Sequence, residues 1–342
     1  MAKSPGPLSD KASAEITPSK HGVILINLGT PSEPTSQAVR HFLREFLSDR
    51  RVVGLSPWLW LPLLYGVILP RRSPRVAKNY RKIWLREQNK SPLLYFSEQQ
   101  AEKLQKRFDE QGQPVVVRCA MTYGNPSLSS VWQEFKRLGI TRVSLLPLYP
   151  QYSSSTSAPT LDAWSRVMGR EFALPDLHWI RDYHQHPLYI RALAESVRQS
   201  WQQGSGQSYL LISCHGIPVR YQDQGDPYPQ QCQQTATLLA RELGLEEDQW
   251  SLTFQSRFGK EPWITPYTDE VLQQLPAQGI RNISVICPSF SVDCLETLEE
   301  IADEGQALFL KAGGEQFNYI AALNDSKSHI ELFYQLIQPS LR

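Results

Sequence analysis

The sequence has few of the features that identify several large protein classes. It contains five cysteines in 342 residues, and no two of them are spaced as a C-x-x-C pair: Cys119, Cys214, Cys232, Cys287 and Cys294. This usage excludes a small disulfide framework and a zinc finger, and it favours a reducing compartment such as the cytoplasm. The formal net charge is only +1, which gives no overall reason to expect a nucleic-acid partner.

A secretion signal and a dinucleotide-binding fingerprint are also missing. The N-terminal stretch MAKSPGPLSDKASAEITPSK contains no apolar core segment, so we expect a disordered leader over residues 1–20 and not a signal peptide. No strand-to-helix turn carries the pattern G-x-G-x-x-G, which argues against a Rossmann oxidoreductase.

Residues 52–70, VVGLSPWLWLPLLYGVILP, form an uncharged stretch long enough to suggest a transmembrane helix. Pro57 and Pro62 lie inside it and argue against a continuous spanning helix. Because Arg71 and Arg72 follow it, we expect an apolar lip that borders an apolar, acidic ligand or rests on a membrane interface. The second role would hold a cytoplasmic protein at the periphery of the inner membrane. A helical segment buried in the core is the alternative interpretation.

The chain contains two apolar strands of the same design. Residues 22–28 are followed by G-T-P, and residues 209–215 are followed by G-I-P. A second pair occurs in the same order, because residues 139–144 and residues 279–284 both run from a glycine into a buried strand that ends at proline. Two pairs of similar segments that occur in the same order indicate that the chain has two similar halves. A length of 342 residues is also suitable for two domains.

Strands and helical segments alternate between these landmarks, as in the strand 115–123, the helix 127–138 and the strand 142–148. This alternation predicts parallel sheets with right-handed crossovers. We therefore expect an α/β fold of two Rossmann-like, doubly wound parallel-sheet domains, over residues 21–185 and 186–342, with a ligand cleft between them.

His215 is the first candidate for chemistry, because it ends a buried strand at the carboxyl edge of a predicted sheet, where open α/β proteins bind ligands. A core histidine bonded to the backbone explains this strand equally well. After the last buried strand, Asp293, Glu296 and Glu300 have the i, i+3 and i+7 spacing of one helix face. A solvated helix face is the usual explanation for such a row, and a wall of a site is the functional one.

Several motifs, taken in order, resemble the ferrochelatase family. They are LINLGTP, RRSP with a tyrosine downstream, SCHGIP, PW and DCLETLEE, at residues 25–31, 71–74, 213–218, 262–263 and 293–300. The match runs in unbroken order from about residue 21 to about residue 325. It implies a bacterial-type enzyme that inserts ferrous iron into protoporphyrin IX and releases two protons, as the last step of haem biosynthesis. It also implies that the cleft between the two halves is a porphyrin cleft.

The resemblance assigns roles to residues by position. His215 and Glu296 match the two residues that face each other across the macrocycle and handle metal and protons. Asp293 and Glu300 match the acidic row behind Glu296, which implies a relay of protons or metal. The other matches are porphyrin contacts, near the lip or against the ring: Arg72, Tyr80, Ser91, Leu28, Trp263 and Phe290. The charged insert over residues 84–90 departs from the family pattern just before Ser91.

The implied reaction requires these residue types for its own chemical reasons. Two pyrrole protons must leave before a dication can enter the macrocycle, and a neutral imidazole is the side chain readiest to accept one near pH 7. Ferrous iron accepts imidazole and carboxylate ligands, and a chelatase must release its metal, so the sparse set of His215 and Glu296 is suitable. We expect protoporphyrin IX and Fe²⁺ as substrates and no permanently bound cofactor.

Other functions stay open at this stage. Some ferrochelatases hold an iron–sulfur cluster through cysteines near the C-terminus, but this chain has no cysteine after Cys294, so we predict no cluster. A related chelatase that uses coproporphyrin or cobalt is the nearest alternative. The second alternative is a carrier that binds porphyrin or metal without chemistry. Turnover of added iron would distinguish it from an enzyme, because a carrier yields at most one equivalent of metal-bound porphyrin.

Overall fold

The computed structural model describes residues 20–204 and 206–341. Of the predicted leader over residues 1–20, all but Lys20 lies outside the described residues. The regular elements follow in chain order: β1 His21–Asn27, α1 Ser36–Ser48, α2 Pro57–Leu63, a π-helical turn Leu64–Ile68, α3 Leu69–Ile83, α4 Pro92–Glu110, β2 Val115–Met121, α5 Leu128–Arg137, β3 Arg142–Pro147, α6 Ser157–Met168, β4 Asp176–Trp179, α7 Pro187–Gln203, β5 Tyr209–His215, α8 Val219–Asp223, α9 Tyr228–Leu243, β6 Trp250–Gln255, α10 Thr268–Gln274, β7 Asn282–Ile286, a π-helix Glu296–Gly305, α11 Gln306–Lys311, β8 Gln316–Ile320 and α12 Lys327–Ile337.

The first sheet contains four parallel strands in the order β2-β1-β3-β4. β1 is buried along its whole length, as its nearly continuous apolar sequence predicts for an inner parallel strand. The chain leaves β1 for β2 on one side and later returns to β3 on the other side. The carboxyl ends of β1 and β3 therefore flank a crevice of the kind in which doubly wound proteins bind ligands.

The second sheet repeats this arrangement, with parallel strands in the order β6-β5-β7-β8. β5 takes the place of β1, and β7 takes the place of β3. The glycines that precede β3 and β7, Gly139 and Gly279, both have positive φ, at 69° and 86°. Each ends a helical segment in the left-handed conformation that glycine adopts without steric cost. The predicted α/β fold of two doubly wound parallel sheets is confirmed.

The cores of the two sheets are joined by helices. One hydrophobic cluster contains Val23 of β1 and Leu210 of β5 together with side chains of α4, α7 and α12. α12 packs against both α4 and α7. The domain boundary that we predict near residue 185 falls between β4 and α7, and it stays a prediction.

The uncharged stretch 52–70 is broken into α2, the π-helical turn and the start of α3. Its helical residues present two faces. Trp60, Leu64 and Leu69 are buried, whereas Trp58 is 89% exposed and Leu59 is 77% exposed. Neither a core helix nor a spanning helix describes this segment, since half of its apolar side chains face outward. Across the described ranges, no helix combines the length and the apolar character needed to cross a lipid bilayer.

Candidate active site

His215 ends β5, and its imidazole is half-buried at the carboxyl edge of the second sheet. Its Nδ1 lies 2.6 Å from the carbonyl oxygen of Gly216. Because a carbonyl oxygen only accepts hydrogen bonds, Nδ1 carries the proton of the neutral ring and Nε2 carries the lone pair. The backbone N–H of His215 donates to Ser289 Oγ at 3.1 Å, which ties this strand end to the segment after β7. The geometry thus fixes the tautomer that is suited to accept a proton or a metal at Nε2.

Two aromatic rings flank His215. The ring centroid of Trp263 lies 6.5 Å from that of His215, and the centroid of Phe290 lies 6.2 Å away. Trp263 is buried, and its Nε1 donates to the carbonyl oxygen of Phe258 at 3.0 Å. Phe290 is half-buried, so part of its surface stays open to a ligand. The structure therefore brings three predicted site residues into one group.

Arg72 approaches this group from α3. Its guanidinium carbon lies 5.8 Å from the ring centroid of Phe258, which in turn lies 5.1 Å from the centroid of Trp263. A cation over an aromatic face is attracted by the ring quadrupole. Arg72 is exposed and Phe258 is 44% exposed, so the contact is accessible to a ligand carboxylate. The lip and the histidine are thus connected through a row of side chains.

Leu28 and Tyr80 belong to the cluster under the lip. Leu28 follows β1 and is half-buried, whereas Tyr80 is buried beside Trp84, with their ring centroids 6.4 Å apart. Burial raises the pKa of Tyr80, and the carboxylate of Glu296 raises it further. The phenol therefore stays protonated and faces Glu296 as a neutral group. Leu295, next to Glu296, packs against the same cluster.

Ser91 occupies a different environment from the other lip residues. As its sequence predicts, it caps α4, and its Oγ accepts the N–H of Leu94 at 3.2 Å, with Pro92 in the first turn. The residue is only 1% exposed. The insert before it forms a short turn closed by backbone hydrogen bonds between Leu85 and Lys90. The porphyrin contact of Ser91 stays a prediction, and its cap geometry gives that contact no support.

The carboxylate row is not the single α-helical face that its spacing predicts. The helix begins at Glu296 and is a π-helix, in which hydrogen bonds run from i to i+5 and a turn holds more than four residues. Glu296 and Glu300, four positions apart, therefore share a face. Asp293 precedes the helix, so its predicted place on the shared helix face is wrong. The i, i+3, i+7 pattern does not distinguish α from π winding, which is why the sequence could not reveal this.

Asp293 is buried and its carboxylate is surrounded by hydrogen-bond donors. Oδ1 accepts from Thr297 Oγ1 at 3.1 Å, from the hydroxyl of Tyr319 and from the N–H of Ala322 at 3.2 Å. Oδ2 accepts from Asn324 Nδ2 at 2.7 Å, and Asn324 Oδ1 accepts the N–H of Asp293 at 2.8 Å. These bonds anchor the segment that leads into the π-helix.

Glu300 is held by the loop after β6. The N–H of Ser256 donates to Oε1 at 2.7 Å, and the hydroxyl of Ser256 donates to Oε2. Gln255 Nε2 donates to the backbone oxygen of Glu296 at 2.8 Å and to Oε2 of Glu300 at 3.3 Å. Burial raises the pKa of Glu300, and Glu296 adds to that rise, while Ser256 and His215 oppose it. The two carboxylates and the imidazole are therefore near enough to influence one another.

Among the described residues, the candidate metal ligands His215 and Glu296 are not part of a closed cage of ligands. Within the part of the chain that the structure describes, no three His, Cys, Asp or Glu side chains converge as metal ligands. A cavity of about 640 Å³ between α4 and α5, along the free edge of β2, contains none of the predicted site residues. The converging side chains at the strand ends, and not cavity size, identify the site.

Sequence reasoning missed several residues that build this site. Gln255, Ser256 and Phe258 lie in a stretch, QSRFG, that belongs to none of the motifs resembling the ferrochelatase family. The signal available was its position directly after the strand β6, whose carboxyl end lies beside that of β5. A residue that follows a neighbouring strand is a candidate for the same crevice.

Comparisons with known proteins identify the family of this chain. The sequence matches the family model for ferrochelatase over residues 20–341. It is 54% identical to the ferrochelatase of Aeromonas hydrophila subsp. hydrophila over 318 residues, which cover 93% of this chain and 98% of that protein. The ferrochelatase of Vibrio cholerae serotype O1 is 52% identical, with 93% of this chain and 98% of that protein covered.

Solved structures of low sequence identity share the fold. SirB from Bacillus subtilis, solved with Fe³⁺, aligns with a TM-score of 0.55 at 12% identity and covers 94% of this chain and 95% of its own. CbiX, described as the terminal enzyme for siroheme biosynthesis in denitrifying bacteria, aligns with a TM-score of 0.50 at 11% identity, covering 93% and 98%. The family match spans nearly the whole described chain. The chain therefore belongs to the ferrochelatase family, and it is an enzyme of haem biosynthesis that inserts ferrous iron into protoporphyrin.

Proposed function

We propose that His215 accepts the pyrrole protons of protoporphyrin through Nε2. The observation that carries this proposal is the short contact between Nδ1 and the carbonyl oxygen of Gly216. It leaves the lone pair on the nitrogen away from the backbone, and the same carbonyl stabilises the imidazolium that forms when Nε2 takes a proton. His215 is thus a catalytic base whose orientation is fixed before the porphyrin arrives.

Glu296 is the partner of His215 in metal insertion. It begins the π-helix, is half-buried and lies near the phenol of Tyr80. Its carboxylate and the imidazole supply the two kinds of ligand that ferrous iron accepts, without enclosing the metal. Iron passes through this site as a substrate, and no resident cofactor is part of the proposal.

Glu300 extends the acidic face behind Glu296. Its raised pKa brings proton exchange closer to neutral pH than for an ordinary glutamate. It is therefore suited to take protons onward from the ring. Asp293 also belongs to the predicted relay, but its four hydrogen bonds support an anchoring role.

The porphyrin is gripped by apolar and aromatic surface on both sides. Trp263 and Phe290 flank His215, and Leu28 projects from the end of β1. A flat ring hides its nitrogen lone pairs in its own plane, so packing that buckles the ring favours metal entry. Arg72 exchanges its contact with Phe258 for a propionate, since a guanidinium binds a carboxylate as a bidentate fork.

The base is tested by comparing His215→Ala with His41→Ala, a histidine exposed on α1. We expect His215→Ala to bind protoporphyrin within about threefold of the wild type and to lose at least about 10²-fold in kcat. His41→Ala should match the wild type in both. Porphyrin fluorescence gives the binding constant, and absorbance under anaerobic ferrous iron gives the turnover. Wild-type turnover in His215→Ala contradicts the proposal.

The exposed face of the lip is proposed to rest on a membrane surface. Trp58 and Leu59 present apolar side chains on α2, and Arg71 and Arg75 lie exposed on the following helix. An apolar face bordered by cations binds an interface by burying apolar area and by attracting anionic lipid. A porphyrin, being poorly soluble in water, would then reach the cleft along the lipid surface.

Vesicle sedimentation tests this contact. The wild type should bind vesicles that contain anionic lipid, and the double variant Trp58→Ser with Leu59→Ser should bind at least about tenfold more weakly, because about 25 cal/mol is lost for each Å² of apolar surface no longer buried. Phe172→Ser removes an equally exposed aromatic residue away from the lip and serves as the matched control. Equal binding by all three proteins contradicts the membrane contact.

A further inference from the structure

The π-helix that carries Glu296 has an unusual charge distribution. Its ten residues, ETLEEIADEG, include five carboxylates and no basic residue. Glu296 and Glu300 face the site, whereas Glu299 and Asp303 face α3. Glu299 is only 6% exposed, and burial raises its pKa, with further rises from Glu304 and Asp303. The carboxylates of this helix therefore repel one another, and a nearby cation would reduce that repulsion.

Lys82 supplies that cation from the last turn of α3. Its Nζ lies 2.8 Å from Asp303 Oδ2 and 3.4 Å from Glu299 Oε1. The ion pair joins residues more than 200 positions apart in the sequence, one on α3 and the others on the π-helix. The charges that face Glu299 from its own helix are both negative, so Lys82 opposes them from the neighbouring element.

The two helices that Lys82 joins carry opposite walls of the site. α3 contributes Arg72 and Tyr80, and Tyr80 is two residues before Lys82 on the same helix. The π-helix contributes Glu296, whose carboxylate faces Tyr80. A shift of α3 away from the π-helix therefore moves the porphyrin wall relative to the metal-side carboxylate. Such a shift of about 1 Å is enough to slow a reaction markedly.

We propose that Lys82 is a positioning residue for metal insertion, which holds α3 against the π-helix and so sets the place of Glu296 relative to the porphyrin. This inference rests on the proposed role of Glu296. Lys82 does not touch the substrate, because both of its carboxylate partners lie on the side of the π-helix that faces α3.

The test compares Lys82→Met, which keeps most of the aliphatic stem, with Lys82→Arg, which keeps the charge. We expect Lys82→Met to lower kcat by about tenfold with a porphyrin KM within about twofold of the wild type, because the ring is gripped mainly by Trp263 and Phe290. Lys82→Arg should keep kcat within about twofold. The matched control is Lys136→Met, which breaks a 2.8 Å ion pair with Glu171 away from the site and should leave kcat unchanged.

A double variant separates positioning from stability. Lys82→Met alone leaves Glu299 buried and unpaired, which lowers the melting temperature. Adding Glu299→Gln removes that charge, so the melting temperature should recover while kcat stays low, because α3 is still not tied. Recovery of kcat together with the melting temperature, a wild-type kcat in Lys82→Met, or equal losses in the Met and Arg variants would each overturn the proposal. A different experiment tests the proposed function itself: full turnover in His215→Ala would contradict that function without testing Lys82.

Discussion

Ser256 is held in a backbone conformation that few residues adopt, with a φ of 68°. Such a conformation costs a non-glycine residue free energy, and it persists where surrounding contacts enforce it. Here two hydrogen bonds compensate for that cost, because both the N–H and the hydroxyl of Ser256 donate to Glu300. Gln255, whose Oε1 accepts from Ser213 Oγ at 2.9 Å, completes the support. The loop after β6 therefore fixes the carboxylate that lies behind Glu296.

We expect Glu300→Gln to slow turnover by about tenfold or more while porphyrin affinity stays the same, because the amide cannot exchange a proton. The same substitution should raise the melting temperature at pH 7. Burial raises the pKa of folded Glu300, so its contribution favours the folded state at acid pH and is lost as the pH rises through the folded pKa.

Thermal melts at several pH values check this. The gain in melting temperature of Glu300→Gln over the wild type should shrink as the pH falls through the raised folded pKa, and it should be smallest below about 4.5, where the unfolded glutamate is also protonated. A gain that is the same at every pH, or an unchanged turnover rate, would contradict the assignment.

The sequence indicated which residues are candidates for the chemistry, but it did not indicate which residues support them. His215 and Glu296 could be chosen because a strand end and a motif marked them. The hydrogen-bond partners of Asp293 could not be predicted from the sequence, because Asn324 lies 31 positions away and no local pattern links the two residues. Ser91 shows a second limit, because its N-cap role was readable from Ser-Pro but the burial of its hydroxyl was not.

Among the elements, the strand end at His215 depends on one close approach. A Cβ added to Gly216 would lie 2.9 Å from the backbone oxygen of Gln255 and 3.1 Å from Cε3 of Trp263. The backbone cannot yield easily there, because the N–H of Gly216 donates to the same oxygen at 2.8 Å. Glycine at this position thus lets Trp263 pack directly under the histidine.

We expect Gly216→Ala to displace Trp263 and to lower the free energy of unfolding by about 1–3 kcal/mol, the usual cost of overpacking. Because Trp263 contacts the ring in our proposal, porphyrin binding should weaken by about tenfold. Denaturant unfolding and porphyrin fluorescence measure the two effects. Glycine at position 66, which lies in the π-helical turn with open space around its α-carbon, provides the control: Gly66→Ala should not weaken porphyrin binding and should not lower the free energy of unfolding, because alanine is the better helix former.

The elements themselves were predictable to different degrees. The strand β5 begins and ends where its apolar run predicts, because a buried parallel strand needs a continuous apolar sequence. The winding of the helix at Glu296–Gly305 was not predictable, since a π-helix and an α-helix accept the same residues. That difference decides which carboxylates share a face.

For the molecule as a whole, the repeated strand order gives each sheet one switch point, which is a candidate ligand-binding edge. Leu28 follows β1 in the first sheet, and His215 ends β5 at the matching place in the second. A porphyrin needs contacts on two sides and a metal path at its centre. Two sheets of the same topology, with their switch points at a common cleft, would provide both the contacts and the metal path.

The stability of the whole molecule should fall on acidification. His329 is fully buried, and burial lowers its pKa to about 4. As the pH falls from about 6.5 to about 4, the unfolded chain binds a proton that folded His329 does not, so the free energy of unfolding decreases by up to about 3 kcal/mol.

Urea unfolding at pH 7.5 and at pH 5 measures this loss. The variant His329→Gln keeps a hydrogen-bonding side chain but does not titrate, so its loss between the two pH values should be smaller than that of the wild type. His41→Gln, on the surface, should show the wild-type loss. An identical loss in all three proteins would contradict the role of His329.

Chemical rescue of His215→Ala by free imidazole, measured as haem formation from protoporphyrin and anaerobic ferrous iron, tests directly whether His215 is the base. If His215 is the base that takes the pyrrole protons, imidazole should restore turnover, and the restored rate should follow the concentration of neutral imidazole as the pH is changed. Turnover in His215→Ala at the wild-type rate without imidazole, or a rescued rate that follows the concentration of imidazolium, would contradict the role of His215 as the base.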